Sequence, residues 1–255
     1  MLAFVLAMIV GPFVIPFSPT ATSSVKTSPP TWTHLLGTDW RGRDILSQLI
    51  WGMYPSMLVG ISAALGAALL GLVVGVFAGY YDKLEGILTG SADIVMTFPA
   101  LSLMLLLGSL FPPTNTLIVG ILILVLWPLA ARSIRSQVLT IKRMVYVDAA
   151  KMSGMSNLRI VAQILIPSTA TLAFAYFVLN VSAGIILVTA LEFLGVGNPN
   201  SISWGSMLYW AQQFAFYSGA WWWILAPGLS ISLIAVGFAL IGFSVEEVAN
   251  PRLSS

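Results

Sequence analysis

The 255-residue chain has no cysteine and a single histidine, His34. Disulfides and thiolate metal sites are therefore excluded, and one imidazole cannot build a histidine metal site. Charge is equally scarce. Eleven Lys and Arg with nine Asp and Glu make up 8% of the residues, against about 25% in an average soluble domain. No G-x-x-x-x-G-K-[ST] run occurs, so the chain has no phosphate-binding loop of that kind. No nucleophile stands near a base. The paired acids Asp82/Glu85 and Glu246/Glu247 sit at aqueous boundaries. We therefore assign no catalytic residue, no metal ligand and no cofactor to this chain, and its net charge of +2 points to no nucleic acid.

What fills the chain instead is apolar. Hydrophobic residues make up 58% and the mean hydropathy is +0.95. That is material for about six spans of roughly 20 residues, which predicts an all-α polytopic membrane protein forming a single transmembrane domain over residues 1–255. Residues 1–17 read as a retained first span. No Lys or Arg precedes it, and Gly11, Pro12 and Pro16 interrupt it, so it is not patterned as a signal peptide. Residues 18–53 form an outer loop, Pro/Ser/Thr-rich at first, in which His34 reads as solvated. Ile45, Leu46, Leu49 and Ile50 recur at helical spacing and suggest a short amphipathic surface helix. Residues 54–133 hold spans two to four. Gly71, Gly75 and Gly79 share one helix face and predict close helix packing. Residues 84–111 contain Asp93 and Pro99 and read either as one kinked helix or as an interfacial helix before a span near 96–111. Asp93 is functional at membrane depth and a mere anchor at the boundary. Spans five and six cover 168–191 and 221–243, separated by a mixed outer loop at 192–220, and 244–255 form a tail. Trp221, Trp222 and Trp223 suit an interfacial aromatic belt.

Positive charge sets orientation. Lys83, Arg132, Arg135, Lys142, Arg143, Lys151, Arg159 and Arg252 fall on one side; Lys26, Arg41 and Arg43 fall on the other. Eight against three places the first side, and both termini, in the cytoplasm. The protein is then a multi-pass component of the cell (inner or plasma) membrane, with lipid as its first partner.

The longest polar stretch, residues 134–167, projects on that cytoplasmic side. Residues 143–152 suit a helix. Gly154 can end it in the left-handed conformation, Ser156 can N-cap a second helix, and Pro167 stops that one. Met152, Met155, Leu158 and Ile160, flanked by Lys151 and Arg159, offer apolar knobs for a partner groove.

The same stretch resembles the EAA loop of ABC importer permeases, whose pattern is E-A-A, three residues, Gly, nine residues, then I-x-L-P. Here Asp148–Ala149–Ala150 is followed by Gly154 and then Ile164–Leu165–Ile166–Pro167. Asp148 stands for the glutamate and Ile166 for the leucine. His34–Leu35–Leu36–Gly37–Thr38–Asp39 with Gly42–Arg43–Asp44–Ile45–Leu46–Ser47 resembles the H-P-L-G-T-D-x-x-G-R-D-V-L-S signature of dipeptide and oligopeptide permeases. Leu191 to Gly197 with Ser203–Trp204–Gly205–Ser206–Met207–Leu208 resembles their L-S-F-L-G-L-G and S-W-G-x-M-L segments, and Asn250–Pro251–Arg252–Leu253 resembles their D-P-R-L ending. The order of these matches resembles the second of the two paired permeases.

The resemblance implies a type I ABC importer permease fold, pairing with a homologous permease, two ATP-binding subunits that carry ATP and Mg, and an extracellular or periplasmic solute-binding protein. It implies that Asp148, Ala149, Ala150, Lys151, Gly154, Met155, Leu158 and Arg159 couple the pathway to the ATPases. It further implies that Glu192, Gly195, Gly197 and Trp204 contact the binding protein. Short peptides are the favoured cargo, with oligosaccharides or metal chelates as alternatives on the same machinery. A secondary transporter or channel is the alternative of another class, as is a structural membrane subunit without transport.

Overall fold

The computed structural model describes Leu6, residues 10–198 and residues 201–249. Residues 1–5 and 7–9 of the expected first span, 1–17, and the Asn250–Leu253 ending lie outside the described residues; within that span residues 10–14 are helical. Apart from one bridge between Thr38 and Asp44, the regular structure there is helical: α1 Ile45–Tyr80, α2 Asp82–Thr97, α3 Ala100–Leu110, α4 Asn115–Ile141, α5 Val145–Met152, α6 Asn157–Ile160, α7 Ile166–Phe193, α8 Trp204–Ser218 and α9 Trp221–Ala249. A π-helical turn, Val161–Leu165, joins α6 to α7. Among the described residues four helices are long and apolar enough to cross a membrane, and the bent pair α2–α3 makes a fifth crossing if it counts as one span.

Side-chain size decides which face goes inside. Lipid tails are as apolar as leucine, so helix contacts are driven by close packing rather than by water. Along α1, Ala63, Ala64, Ala67, Ala68, Gly71 and Gly75 are buried, while Leu58, Leu65, Leu69 and Val73 face outward. The small face receives α4 and α7. A Cβ at Gly71 would lie 2.7 Å from that of Ala130, one at Gly75 would lie 2.6 Å from the Ala131 carbonyl oxygen, and one at Gly79 would lie 2.7 Å from the Val138 Cβ. The three glycines are thus the seam between α1 and α4. α9 packs on α7, and α8 lies against both.

The helices depart from the expected boundaries in five places. Residues 45–53 are not a separate surface helix; they begin the 36-residue α1, about 54 Å long. Their buried face runs on unbroken, because Gly52 lets α1 approach the Ser203 backbone, with a Cβ there only 3.3 Å away. Residues 84–111 are two helices bent by 89° at Phe98 and Pro99, the latter fixing a non-helical backbone at the N-cap of α3. The 11 residues of α3 reach about 16 Å, too short to cross alone. Residues 134–141 are helical, the last two turns of α4. The mixed loop holds α8, closed at its start by a reciprocal capping box between Ser203 and Ser206. Finally, Pro167 does not stop a helix. It sits in the first turn of α7, and the π turn just before it widens the helix where the proline ring crowds the preceding carbonyl. Asn157–Phe193 is consequently one 37-residue rod.

Candidate coupling loop and outer docking loop

The coupling loop is built from α5 and the turn that follows. Gly154, at φ +80°, ends α5: Met155 N–H donates to Ala150 C=O at 3.1 Å and Gly154 N–H to Lys151 C=O at 3.0 Å. These two bonds define a Schellman termination, whose left-handed position suits glycine. Ser153 Oγ adds a bond to Ala149 C=O at 2.9 Å. The loop is therefore a preformed element. It is pinned by Val147, fully buried beside Ile141, Ile160 and Leu165, with Met155 packed against them. Tyr80 Oη donates to Asn157 Oδ1 at 2.8 Å, tying the loop to the end of α1. Ser156 occupies the N-cap of α6, but its side chain makes no capping bond.

Of the coupling residues read from the sequence, Asp148, Ala149, Lys151, Gly154, Leu158 and Arg159 are exposed, and Ala150 and Met155 half-buried. Ile160, expected as an outward knob, is fully buried. Sequence reasoning missed Val145, which is 84% exposed, beside Met152 at 85%. Asp148 and Lys151 approach at 3.3 Å, an exposed pair that contributes little.

Three ion pairs join α2 to the end of α4: Asp82–Lys142 at 2.7 Å, Glu85–Arg135 and Asp93–Arg132. Asp93 thus has a cationic partner and anchors α2 rather than standing alone. Lys142 also donates to Tyr80 C=O at 2.9 Å, at the last turn of α1, where a cation complements the helix dipole.

At the opposite end of the bundle, α7 ends as α5 does. Gly195, at φ +91°, lets Val196 N–H reach Leu191 C=O at 3.1 Å and Gly195 N–H reach Glu192 C=O at 3.0 Å. Gln212 Nε2 caps Phe193 C=O at 2.8 Å. Two of the expected docking residues lie inside. Glu192 is 8% exposed and Trp204 fully buried. Glu192 accepts from Ser203 Oγ at 2.6 Å and from the Gly205 N–H. Trp204 donates from Nε1 to Leu49 C=O at 2.9 Å and from its backbone N–H to Ser56 Oγ at 3.1 Å. A buried polar group must be satisfied internally, so these two residues shape the loop. Leu194 and Gly195 are its exposed part, with Gly197 half-buried.

The His34–Ser47 segment closes into a polar knot over the start of α1. Asp39 accepts from the Arg41 and Arg43 backbone N–H groups, from Arg43 Nε at 2.8 Å and from Gln48 Nε2 at 3.1 Å. Asp44 caps α1 through Ser47 N–H at 2.7 Å. It also accepts from His34 Nδ1 at 2.9 Å. His34 is therefore enclosed and paired, not solvated, and its ring lies against Phe17. Within the tryptophan triplet, Trp221 is exposed but Trp223 is fully buried, so only part of the triplet is free to face an interface.

The chain is similar to known transport permeases. The dipeptide transport system permease protein DppC of Bacillus subtilis is 34% identical over 253 residues, covering 98% of this chain and 78% of the relative. DppC of Alkalihalophilus pseudofirmus is 32% identical, covering 100% and 87%. The di/tripeptide transport system permease protein DppC of Pseudomonas aeruginosa is 30% identical, covering 100% and 86%. A chain from a solved structure of the MetNI methionine ABC transporter in inward-facing conformations shares the fold. Its TM-score is 0.59 at 14% identity, over 78% of this chain and 96% of that one. The architecture is accordingly that of a type I ABC importer permease. Residues 67–255 match the family described as binding-protein-dependent transport system inner membrane component, and to that family of membrane transport subunits this chain belongs.

Proposed function

We propose that this chain is the permease subunit forming half of the translocation pathway of an ATP-driven importer of short peptides. Family membership implies, in general terms, a second permease, an ATPase and a binding protein, and it sets aside the secondary-transporter, channel and transport-free structural alternatives. The observation that carries the coupling role is the α5 turn. It is rigidly terminated at Gly154, anchored through Val147, and presents Val145, Met152 and Leu158 to the outside. An apolar projection of this kind fits a groove on an ATP-binding subunit. ATP and Mg belong to those subunits and hydrolysis is theirs; this chain catalyses nothing. The α5 end then faces the cytoplasm, as do both termini, in the cell membrane. Closure of two ATPases draws two coupling loops together and moves the helices as rigid bodies. ATP drives the change only because it binds one arrangement better. Peptides are favoured as cargo because the relatives with near-complete coverage are named for dipeptide or di/tripeptide transport.

The test is uptake of a labelled dipeptide into vesicles holding the complete complex and its binding protein. We expect ATP-dependent uptake that is lost with Gly154→Val while ATP hydrolysis continues. Normal uptake by that variant would falsify the coupling role. Uptake of an oligosaccharide or metal chelate in place of peptide would move the cargo assignment and leave the machinery intact.

A further inference from the structure

A small polar cleft opens at the knot end of the bundle, with a volume of about 170 Å³ and with Arg41, Arg43, Gln48, Ser201, Ser206 and Trp210 in its wall. Its two arginines differ. The Arg43 side chain is paired with fully buried Asp39. Arg41 is exposed, and its guanidinium carbon lies over aromatic rings, 4.5 Å from the centre of Trp40 and 5.6 Å from that of Trp210. All nine acids of the chain lie among the described residues, and none of them pairs with Arg41. Among the described residues the stacked guanidinium thus has no acid on its hydrogen-bonding edge, an edge suited to bidentate contact with a carboxylate.

The rest of this end strengthens the asymmetry. Its three acids are all internal: Asp39 is 0%, Asp44 3% and Glu192 8% exposed. Lys26 is exposed and rides on the same knot, because Thr27 N–H donates to Asp39 C=O at 2.9 Å and Val25 C=O accepts from Thr38 Oγ1 at 2.9 Å. The charge this end shows to water is thus of one sign. The Gln48, Ser201 and Ser206 side chains in its wall already donate within the protein, so a carboxylate entering the cleft would be held by the Arg41 guanidinium, which pairs with no acid among the described residues.

We propose that this cleft is a carboxylate-binding site that receives an Asp or Glu side chain from the docking solute-binding protein. The proposal rests on the importer reading above and deepens it. Arg41 supplies the bidentate contact, and Lys26 adds long-range attraction that speeds encounter and weakens with salt.

The test uses the complete transporter in lipid nanodiscs and its own binding protein. Affinity is measured for wild type, Arg41→Glu and Arg41→Lys at about 50 mM and about 500 mM NaCl, a range over which exposed charge pairs are progressively screened. We expect Arg41→Glu to weaken binding about tenfold at low salt and by much less at high salt, and Arg41→Lys to keep most of the salt dependence. Carbodiimide treatment of the Arg41→Lys complex should then join position 41 to an Asp or Glu of the binding protein. Retained ATPase activity shows that the variants are assembled. Equal affinity in wild type and Arg41→Glu, or a cross-link only to the α-carboxylate of added peptide, overturns the site while leaving the importer standing. A wild-type complex that binds no solute-binding protein overturns both.

Discussion

At the residue scale, a few buried polar atoms and missing side chains hold the two functional ends in shape. Glu192 joins α7 to the start of α8 through Ser203 and Gly205. Glu192→Ala leaves the Ser203 O–H and the Gly205 N–H without their acceptor, and we expect a loss of about 1–3 kcal/mol. Glu192→Gln, which keeps an acceptor, should lose less, and thermal unfolding in detergent ranks the two. Gly75→Val drives a side chain toward the Ala131 carbonyl and Ile134; we expect about 1–3 kcal/mol of destabilisation from overpacking. A Cβ at Gly86 meets nothing within 4 Å, so Gly86→Ala should leave the melting temperature unchanged or raise it. The glycine seam was legible in the sequence, because spacing by four fixes a shared helix face whatever packs on it. The roles of Glu192 and Trp204 were not. Both stand in a loop-like stretch where an acid and an aromatic suit a surface equally well. The approach of α1, through Leu49 and Ser56, encloses Trp204, and the start of α8 folds over Glu192.

At the element scale, the α5 loop and α2 are held in contrasting ways. α5 is pinned by a buried valine in a cluster of aliphatic side chains. α2 buries only Ala92 and is tied to α4 by three partly exposed ion pairs. Such pairs contribute about 0–1 kcal/mol each. Single changes such as Arg132→Gln should therefore leave amide exchange in α2 near the wild-type rate, whereas Arg132→Gln, Arg135→Gln and Lys142→Gln together should speed it. Unchanged exchange in the triple variant would show that apolar contact alone holds α2. Hydropathy marked α1, α4, α7 and α9 because each carries a long uninterrupted apolar window. Pro99, not hydropathy, marked the bend that the structure places at Phe98 and Pro99, whereas the continuation through Pro167 was not legible, since it depends on local backbone geometry rather than on composition. Nor could hydropathy find α8, whose start is set by two serines bonding to each other's backbone.

At the scale of the whole molecule, the exposed Leu225, Leu229, Leu233, Val236, Leu240 and Phe243 of α9 recur every three or four residues and form one outward stripe. Only 22% of the apolar core of that helix is buried within this chain, against 61% for Asn157–Phe193. The rod is thus the interior axis of the bundle and α9 is at its margin. Its two ends are the two candidate sites: the coupling turn precedes Asn157, and the outer loop follows Phe193. At about 1.5 Å per residue such a rod is about 55 Å long, so a tilt of about 10° about one end carries the other through about 10 Å. The chain thus contains a lever. On the proposed coupling role, a push on the loop at Gly154 would reach the loop at Gly195, at the other end of the rod, with no intervening joint except the π turn at Val161–Leu165. The nearest mechanical counterpart is a rocker arm, in which the stiffness of a single shaft fixes how faithfully one end follows the other.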